Sequence, residues 1–402
     1  MIKKHVCFML FALLQTATAL SIHNGNLSTP IRGINWFGYE NGQTAPDGLW
    51  IGGSSIATDM NTVIYRLRLL GFNAIRLPFT FNDLELPPLP KENTCKTASL
   101  QEIIQSVPSP RGIKPAVELP KNNKCNIYLS NKSTLERFIY TIRAFAKSGF
   151  YVILDYHPMG KEPYAYNPDV FAQKWYKLME KIVRIPELKG KVIMDLMNEP
   201  DSMNIKWAHA TKLYLKTMDA VYKNLDKNMF FMIEGTGQIN YNLNWGDGFV
   251  TDPNIIKANQ IDDASVFFKE LMKKSYIGNI IISPHMYGPS VTKNKRAFAG
   301  QDLENRMLKS FVYLHTKGYC LQGRCYKFPI VVGEFGSKFI LKEDLQHLDS
   351  FQKLMNKYFG KNMSWAFWAY NNNSGDTGGI VKDDWVTLEM GKLQWLKKFM
   401  YL

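Results

Sequence analysis

Eight short apolar runs recur along this chain, and each is followed by a segment in which apolar residues repeat at helical spacing. The runs are continuous rather than alternating, as expected of strands that are buried on both faces of a parallel sheet. Strands that alternate with helices in this way predict βα units. The predicted strands are Ile31–Phe37, Asn73–Phe79, Tyr151–His157, Lys191–Asn198, Met229–Glu234, Asn279–Met286, Pro329–Phe335 and Ser364–Ala369.

Helices are predicted to follow these strands. The clearest begins at Ser133, because Ser133-Thr134-Leu135-Glu136 has the pattern of a capping box and apolar residues then recur on one face. Eight strands with eight helices predict an α/β fold, the (β/α)8 TIM barrel. The other helices are expected near residues 59–70, 168–184, 207–225, 264–275, 303–317, 344–358 and 389–400.

Two connections are too long to be simple turns. One extends from about residue 82 to 132, after the second strand, and the other from 235 to about 262, after the fifth. Both leave the carboxyl ends of strands, the end of a barrel where chemistry is done. We therefore expect extended loops there that shape a substrate site.

The N-terminal segment has the features of a secretory signal peptide. Lys3 and Lys4 precede an apolar stretch over residues 6–14, and Ala17-Thr18-Ala19 is typical of a cleavage site. The stretch is too short to span a bilayer, and no later run is long and apolar enough to do so. We expect cleavage after Ala19, within two residues, and a secreted, extracellular protein whose residues 20–402 form a single catalytic domain.

Four cysteines remain after such cleavage, and an even number in a secreted chain suggests disulfides. Four cysteines allow three pairings. We favour Cys95–Cys125 and Cys320–Cys325, because each pair lies within one connection between elements. The spacing does not resemble a zinc site, and no metal is expected.

Composition narrows the possible partners. The formal net charge is +14, and removal of Lys3 and Lys4 leaves 14 − 2 = +12, spread without a long basic block. This pattern indicates a solvated basic surface, with loose attraction to acidic wall polysaccharide as the weaker alternative, and it does not favour nucleic acid. Four sequons permit glycosylation, although such motifs also arise by chance: Asn26, Asn131, Asn362 and Asn372.

Two strands end in a carboxylate. The fourth run ends in Asn198-Glu199-Pro200, where proline should stop the strand, and the seventh delivers Glu334 to the same rim. A pair of carboxyl groups at one barrel mouth is what glycoside hydrolysis requires. The alternative is two unrelated rim acids, since this fold hosts many chemistries.

Other strand ends favour the catalytic interpretation. The second strand carries Arg76, whose permanent charge could hold a nucleophilic carboxylate ionised and oriented. His157 ends the third strand, and His285-Met286-Tyr287 and Trp368 come at the ends of the sixth and eighth. A lone histidine at a strand end is usually structural, but two beside a tyrosine and a tryptophan at one rim favour a site.

The chain resembles glycoside hydrolase family 5, the cellulase family within the retaining clan of barrel glycosidases. The resemblance covers nearly all of the sequence after the signal peptide. It is carried by short motifs that occur in order at strand ends: Gly33-Ile34-Asn35-Trp36-Phe37-Gly38, Gly48-Leu49-Trp50, Arg76, His157, Ile193 to Pro200, His285-Met286-Tyr287, Gly333-Glu334-Phe335-Gly336, Trp368 and Asn373 to Gly379. The connection 235–262 departs from the family pattern.

The resemblance implies a role for each motif residue. Glu199 would be the general acid/base and Glu334 the nucleophile, with no metal or cofactor. Tyr287 would donate a hydrogen bond to Glu334, and Asn198 would contact the sugar 2-hydroxyl. The implied substrate-binding residues are Arg76, His157, Asn198, His285, Tyr287 and Trp368, with Trp36 and Trp50 as further sugar platforms; for Trp245 packing is as plausible as sugar contact.

These observations favour a secreted, retaining endo-β-1,4-glucanase that acts on cellulose-like glucan as a monomer. Two alternatives stay open. The same chemistry on mannan or mixed-linkage glucan would use the same catalytic motifs, because specificity resides in the long loops. A catalytically silent wall-binding protein on the same barrel is disfavoured, because both carboxylates are present.

Overall fold

The computed structural model describes residues 19–51, 53–90, 92–159, 162–293 and 295–400. Seven strands form one parallel sheet in which sequence neighbours pair, and the last strand pairs back with the first. The fold is therefore an α/β barrel, as predicted. In chain order the strands are Arg32–Asn35, Ala74–Phe79, Tyr151–Tyr156, Val192–Asp195, Phe230–Ile233, Ile280–Ile282 and Trp365–Phe367.

Residues 330–334 take the place of the seventh barrel strand. They are joined to their neighbours by isolated parallel bridges, Ile282 to Ile330 and Val332 to Trp365, rather than by a continuous ladder. A further bridge joins His285 to Glu334 above the sixth strand. The eight predicted strands are all present in the barrel, with bounds that differ by a few residues. We number the barrel strands first to eighth, with 330–334 as the seventh.

The helices predicted between the strands are present as an outer layer. The sixth is interrupted by a π-helical turn, Leu308–Val312, between Gly300–Met307 and Tyr313–Thr316. None of the helices among the described residues is long and apolar enough to cross a bilayer. The remaining principal helices are Met60–Leu70, Thr134–Lys147, Pro168–Val183, Trp207–Asn224, Ser265–Leu271, Lys342–Phe359 and Met390–Met400.

The helix that follows Ser133 begins as predicted but is capped differently. The Ser133 hydroxyl accepts a hydrogen bond from the Glu136 amide at 3.2 Å, which satisfies one free N–H of the first turn. The Glu136 carboxylate, however, accepts from the Ser130 hydroxyl at 2.5 Å, so the prediction of a reciprocal capping box there is wrong. A complete capping box occurs at Ser99 and Glu102, in a helix that was not predicted, Leu100–Gln105.

The barrel interior is arranged in layers. Successive side chains of a strand point to opposite faces, so residues two apart share the inside. The lower interior is apolar and includes Ala74, Ile153, Ile193, Met232 and Ile281. Two positions further along the same strands stand polar residues, which form the floor of the rim: Arg76, Asp155, Asp195, Glu234 and Ser283.

The two long connections carry structure of their own. The connection after the second strand contains Leu100–Gln105 and is closed by a disulfide between Cys95 and Cys125. The connection after the fifth strand forms an antiparallel hairpin, Thr236–Gln238 with Leu243–Gly248, followed by a helix, Pro253–Asn259. We call residues 236–248 the rim hairpin.

Cysteine pairing follows the prediction. The second disulfide joins Cys320 to Cys325 across a small hairpin, Tyr319–Leu321 with Arg324–Tyr326. Apart from Ala19, the predicted signal peptide lies outside the described residues.

Candidate active site

Arg76 lies at the centre of the polar floor. Its guanidinium contacts four carboxylates and is fully buried. Because five N–H donors are fixed in one plane, a guanidinium can serve several acceptors at once. The measured contacts are Nη1 to Glu334 Oε1 at 2.6 Å and to Asp155 Oδ2 at 3.1 Å, Nε to Asp195 Oδ2 at 2.8 Å, and Nη2 to Glu234 Oε1 at 2.9 Å.

The buried charges perturb one another. Burial opposes the charge on Arg76, but Asp155 and the other carboxylates outweigh it and raise the pKa of Arg76 well above its usual range. Burial raises the pKa of Asp195 to about 6, and burial together with the charge of Asp195 raises the pKa of Glu234 well above its usual range. Burial thus favours the protonated form of these carboxyls, and the positive charge of Arg76 acts in the opposite direction.

Glu199 lies at the turn after the fourth strand. Its backbone adopts a left-handed conformation with φ of 40°, just before the short helix Pro200–Met203. The Glu199 amide donates to Glu234 Oε2 at 2.7 Å, and Glu199 Oε1 lies 2.8 Å from Nδ1 of His285. Burial, and then the negative charge of Glu334, raise the pKa of Glu199 well above its usual range. Glu199 is therefore poised to hold a proton.

His285 is electrically neutral in this setting. Burial and then the charge of Arg76 lower its pKa well below its usual range. Its other ring nitrogen, Nε2, lies 3.2 Å from Glu234 Oε1. Nε2 makes no hydrogen bond despite this proximity, so the one bond of the ring, between Nδ1 and Glu199 Oε1, orients Glu199 without adding charge.

Glu334 is held in a different way. Arg76 contacts Oε1, and the Tyr287 hydroxyl donates to Oε2 at 2.7 Å. Both oxygens thus meet a donor, which stabilises the ionised carboxylate. Oxygens of Glu199 and Glu334 lie within 4.8 Å of one another. The two carboxyls therefore face the same small volume, and they differ in their partners: a histidine for Glu199, and an arginine and a tyrosine for Glu334.

His157 and Asn198 complete the wall beside this pair. His157 Nδ1 lies 2.8 Å from Asp155 Oδ2, and its Nε2 lies 3.4 Å from the Asn198 amide nitrogen. Burial acts to lower the pKa of His157, but Asp155 outweighs it and the pKa is raised. Asn198 also accepts from Arg76 Nη2 at 3.0 Å, so its side chain is fixed from both sides.

A cleft of about 300 Å³ opens above the two carboxyls. Phe37 stacks on Trp368 at 5.4 Å, and the His157 ring stacks on the same indole at 5.7 Å. Trp245 of the rim hairpin meets the Tyr287 ring edge-on at 6.3 Å. The lining is Phe37, Glu40, Asn41, His157, Met159, Glu199, Trp245, Tyr287, Glu334, Trp368, Asn373, Ser374, Gly375 and Asp376.

The acidic floor could in principle hold a metal ion. Oxygens of Asp155, Asp195 and Glu234 lie within 4.8 Å of one another. Arg76 already lies in contact with all three, so its guanidinium supplies the positive charge that a metal would bring. The arrangement thus fits an organic cation in the floor.

The family model described as cellulase (glycosyl hydrolase family 5) matches residues 27–374. This chain belongs to glycosyl hydrolase family 5. The match spans every strand of the barrel and both carboxyls of the cleft.

Relatives within the family are distant. The major extracellular endoglucanase of Xanthomonas campestris pv. campestris is 24% identical over 397 residues, which cover 91% of this chain and 67% of that protein. An endoglucanase of Paenibacillus polymyxa is 23% identical over 389 residues, covering 92% and 82%.

Solved structures show the same fold. An endocellulase from Pyrococcus horikoshii, solved in complex with cellotetraose, has a TM-score of 0.64 and 21% identity, covering 96% of this chain and 99% of that one. The catalytic domain of the Xanthomonas campestris endoglucanase gives 0.63 at 19% identity, covering 95% and 100%. These likenesses confirm the barrel expected of a family 5 protein.

Five predicted site residues line the cleft: His157, Glu199, Tyr287, Glu334 and Trp368. Arg76, Asn198 and His285 are buried beside them and contact them without lining the cleft, whereas Trp36 lies elsewhere. Trp36 is fully buried on the outside of the barrel, where it packs on Tyr370 and Phe145 and donates from Nε1 to the Asp47 carbonyl at 2.8 Å. The prediction that Trp36 is a sugar platform is wrong. Adjacent residues of an extended chain point to opposite sides, and it is Phe37 that enters the cleft.

Trp50 lines a neighbouring hollow of about 210 Å³ rather than the catalytic cleft. The Arg137 guanidinium lies over its ring at 5.8 Å. The hollow and the cleft share Asn373, so the two are contiguous. A sugar platform at Trp50 stays a prediction, for a position away from the carboxyl pair.

Several residues of the site were not predicted as such. Asp155, Asp195 and Glu234 surround Arg76, and Asn35 accepts from Arg76 Nη1 at 3.1 Å. The available signal was a polar residue at the inward position of each apolar strand, next to a carboxyl end. One buried arginine in the second strand required such partners.

Proposed function

We propose that this chain is a secreted, retaining endo-β-1,4-glucanase in which Glu334 is the nucleophile and Glu199 the general acid/base. The approach of the two carboxyls to within 4.8 Å, each with a different set of partners, carries the proposal. As a member of family 5, the chain is a glycoside hydrolase. Relatives described as endoglucanases support an internal β-1,4-glucosidic bond as the one that is cleaved.

The separation favours retention of configuration. Retaining glycosidases place their carboxyl groups about 5–5.5 Å apart, whereas inverting enzymes need roughly 6.5–9.5 Å to admit water between carboxylate and sugar. Oxygens of Glu199 and Glu334 that lie within 4.8 Å of one another agree better with the shorter, retaining separation. Direct attack by a carboxylate is the step that fits.

The first half-reaction forms a glycosyl ester. Glu334 Oε2 or Oε1 attacks the anomeric carbon while the proton on Glu199 passes to the glycosidic oxygen, so the bond to the leaving sugar breaks as the ester bond forms. Arg76 and Tyr287, which contact one oxygen each, orient the attacking carboxylate. Asn198, fixed by Arg76, is placed to contact the neighbouring sugar hydroxyl.

The second half-reaction restores both carboxyls. Once the ester has formed, the negative charge of Glu334 is gone and with it one cause of the raised pKa of Glu199. Glu199 can then take a proton from water, whose oxygen attacks the anomeric carbon and releases Glu334. One residue thus serves as acid and then as base because its neighbour changes charge.

The aromatic walls support a flat, neutral sugar chain. The Phe37–Trp368 stack and the edge-on Trp245–Tyr287 pair offer apolar ring faces, which suit the apolar faces of pyranose rings. Such walls would also accept mannan or mixed-linkage glucan. A reducing-sugar assay across cellulose derivatives, mannan, xylan and mixed-linkage glucan would distinguish the candidate substrates.

The catalytic assignment is tested by Glu199→Gln and Glu334→Gln. Each should retain the fold and lose nearly all hydrolysis, whereas the matched control Glu180→Gln, on the outer face of Pro168–Val183, should behave as wild type. NMR of the first product should show the β-anomer. Inversion at the anomeric carbon, or near-wild-type turnover of either catalytic variant, would contradict the proposal.

Secretion is supported by two disulfides and by the extracellular Xanthomonas relative. Sequencing the mature N-terminus of protein expressed with its leader should find the first residue at Leu20, within two positions. Retention of Lys3 and Lys4 in protein recovered from the medium would contradict cleavage at Ala19.

A further inference from the structure

Asp201 follows Pro200 in the turn that carries Glu199, and its side chain binds the rim hairpin. Oδ2 accepts a hydrogen bond from the Trp245 amide at 2.9 Å, and Oδ1 accepts from the Gly246 amide at 3.2 Å. Both oxygens of one half-buried carboxylate are thus satisfied by consecutive backbone donors of another connection. The turn and the hairpin are held together by the chain itself.

A second line of contact joins the same two segments. Gly246 packs so closely against Glu234 that an added Cβ would lie 2.6 Å from Glu234 Oε2. That oxygen also accepts from the Glu199 amide at 2.7 Å, and the Gly235 amide donates to the Gly246 carbonyl at 2.7 Å. The hairpin therefore has little freedom to shift without moving the backbone of Glu199.

The hairpin also carries part of the cleft. Trp245 lines it, and its backbone has φ of 61°, a left-handed conformation that is unfavourable for a tryptophan. The hydrogen bond from its amide to Asp201 stabilises this conformation. Tyr287, which meets the indole edge-on, donates to Glu334.

We propose that Asp201 is a positioning residue that couples occupation of the cleft at the rim hairpin to the placement and protonation of Glu199. The inference rests on the proposed function, because it assigns Asp201 a part in the same reaction. A sugar that packs on Trp245 presses on a segment whose backbone is bonded to Asp201. A shift of Asp201 then moves the backbone of Glu199, the proposed catalytic acid, because only Pro200 separates the two residues.

Charge gives Asp201 a second influence on Glu199. After burial and Glu334, the carboxylate of Asp201 is the next cause of the raised pKa of Glu199. Loss of that charge should make Glu199 easier to ionise. The titratable groups that face Glu199 from the surrounding elements are Arg76, Asp155, Asp201, Glu234, His285, Tyr287 and Glu334.

The test compares Asp201→Asn with wild type in the full chain. Asparagine retains one acceptor oxygen but turns an N–H₂ group toward a backbone donor, so one hydrogen bond is lost together with the charge. KM for cellotetraose should rise roughly ten-fold, the size expected for a lost charge-assisted hydrogen bond. The basic limb of kcat/KM should move to lower pH by about half a unit.

Three further variants separate the charge of Asp201, the position of its oxygens and the Trp245 side chain. Asp252→Asn is the matched control, because Asp252 accepts from two consecutive amides further along the same connection and should leave both readouts unchanged. Asp201→Glu retains the charge but displaces the oxygens, so KM should rise while the basic limb stays in place. Trp245→Ala retains the amide that Asp201 binds, and should raise KM alone.

Coupling also predicts that Asp201→Asn and Trp245→Ala are not independent. The fold-increase in KM of the double variant should be smaller than the product of the two single fold-increases, since both changes interrupt the same contact between the rim hairpin and Asp201. Multiplicative effects, or a basic limb that does not move in Asp201→Asn, would overturn the inference. Its failure is distinguishable from failure of the proposed function, because Glu199→Gln would still be inactive.

Discussion

Arg76 Nη1 lies 2.6 Å from Glu334 Oε1, and both side chains are buried below the cleft. The same guanidinium contacts three further carboxylates, so the charge that orients the proposed nucleophile also neutralises the floor of the barrel. The proposed catalysis and the stability of the barrel floor are thus both expected to depend on Arg76.

Replacement of Arg76 should affect stability and turnover together. Arg76→Met leaves four buried carboxylates without their cation and should cost about 3–5 kcal/mol of unfolding free energy, measured by urea denaturation. Arg76→Lys retains the charge but not the planar fork, so it should fold more stably than Arg76→Met and still lose most of its kcat. Arg184→Met, at an exposed helix position, is the control. An Arg76→Met variant as stable as wild type would contradict the claim that Arg76 neutralises the buried carboxylates.

The pKa of Glu199 makes a prediction about stability. A carboxyl whose pKa is raised on folding stabilises the protein only while it is protonated, so its contribution is complete below the ordinary carboxyl pKa of about 4.3 and is lost as pH rises toward the raised value. Glu199→Gln is neutral throughout. The variant should therefore match wild type at low pH and become more stable than wild type as pH rises to 8.

Thermal unfolding of both proteins at pH 4 and pH 8 measures the difference. Glu180→Gln, which replaces an exposed and ion-paired glutamate, should show no such gain with pH. A Glu199→Gln variant that is less stable than wild type at pH 8 would contradict a raised pKa for Glu199. Activity should follow the same group, with kcat/KM falling as pH rises and Glu199 loses its proton.

Tyr287 should contribute to turnover rather than to stability. Tyr287→Phe removes the hydroxyl that donates to Glu334 Oε2 and leaves the ring in place. We expect kcat to fall by roughly 100–1,000-fold, as for the loss of one preorganised donor at a reacting group, with Tm within a few degrees of wild type. The control is Tyr166→Phe, since that ring is 56% exposed and its hydroxyl bonds a backbone carbonyl. Unchanged kcat in Tyr287→Phe would contradict a catalytic part for the hydroxyl.

Phe37 and Trp36 should respond in opposite ways. Phe37→Ala removes a cleft wall and should raise KM for cellotetraose several-fold with little loss of stability. Trp36→Ala creates a cavity behind the barrel and should cost about 3–5 kcal/mol, with KM of the folded fraction unchanged. Steady-state kinetics and urea denaturation of the two variants measure both effects. The opposite result would restore Trp36 as the sugar platform.

The barrel could be predicted because its signal is repeated. Runs such as Tyr151–Tyr156 and Phe230–Ile233 are apolar on both faces, and their alternation with helices leaves few topologies. The seventh strand illustrates the limit, since residues 330–334 read as a strand but pair only through isolated bridges. Pairing depends on neighbours that sequence patterns do not contain.

The carboxyl pair could be predicted from strand ends, but its supporting contacts could not. Arg76 was correctly expected near Glu334, whereas its contacts with Asp155 and Asp195 depend on which strands adjoin inside the barrel. Trp36 rather than Phe37 was predicted to line the cleft, because the sequence does not show which of two adjacent residues faces inward at a strand end. The capping pattern at Ser133 failed for a similar reason, since Ser130 competes for the Glu136 side chain.

The lining of the cleft is acidic although the chain as a whole is basic. Glu40, Glu199, Glu334 and Asp376 face the opening, and none of the described residues that line it is a lysine or arginine. The formal net charge of the chain is nevertheless +14. The outside of the molecule should therefore attract a polyanion more strongly than the cleft does, because no lysine or arginine among the described residues lines the opening. Attraction to the surface and entry to the cleft are thus separate properties of this molecule, and an acidic polymer can be held by the first without meeting the second.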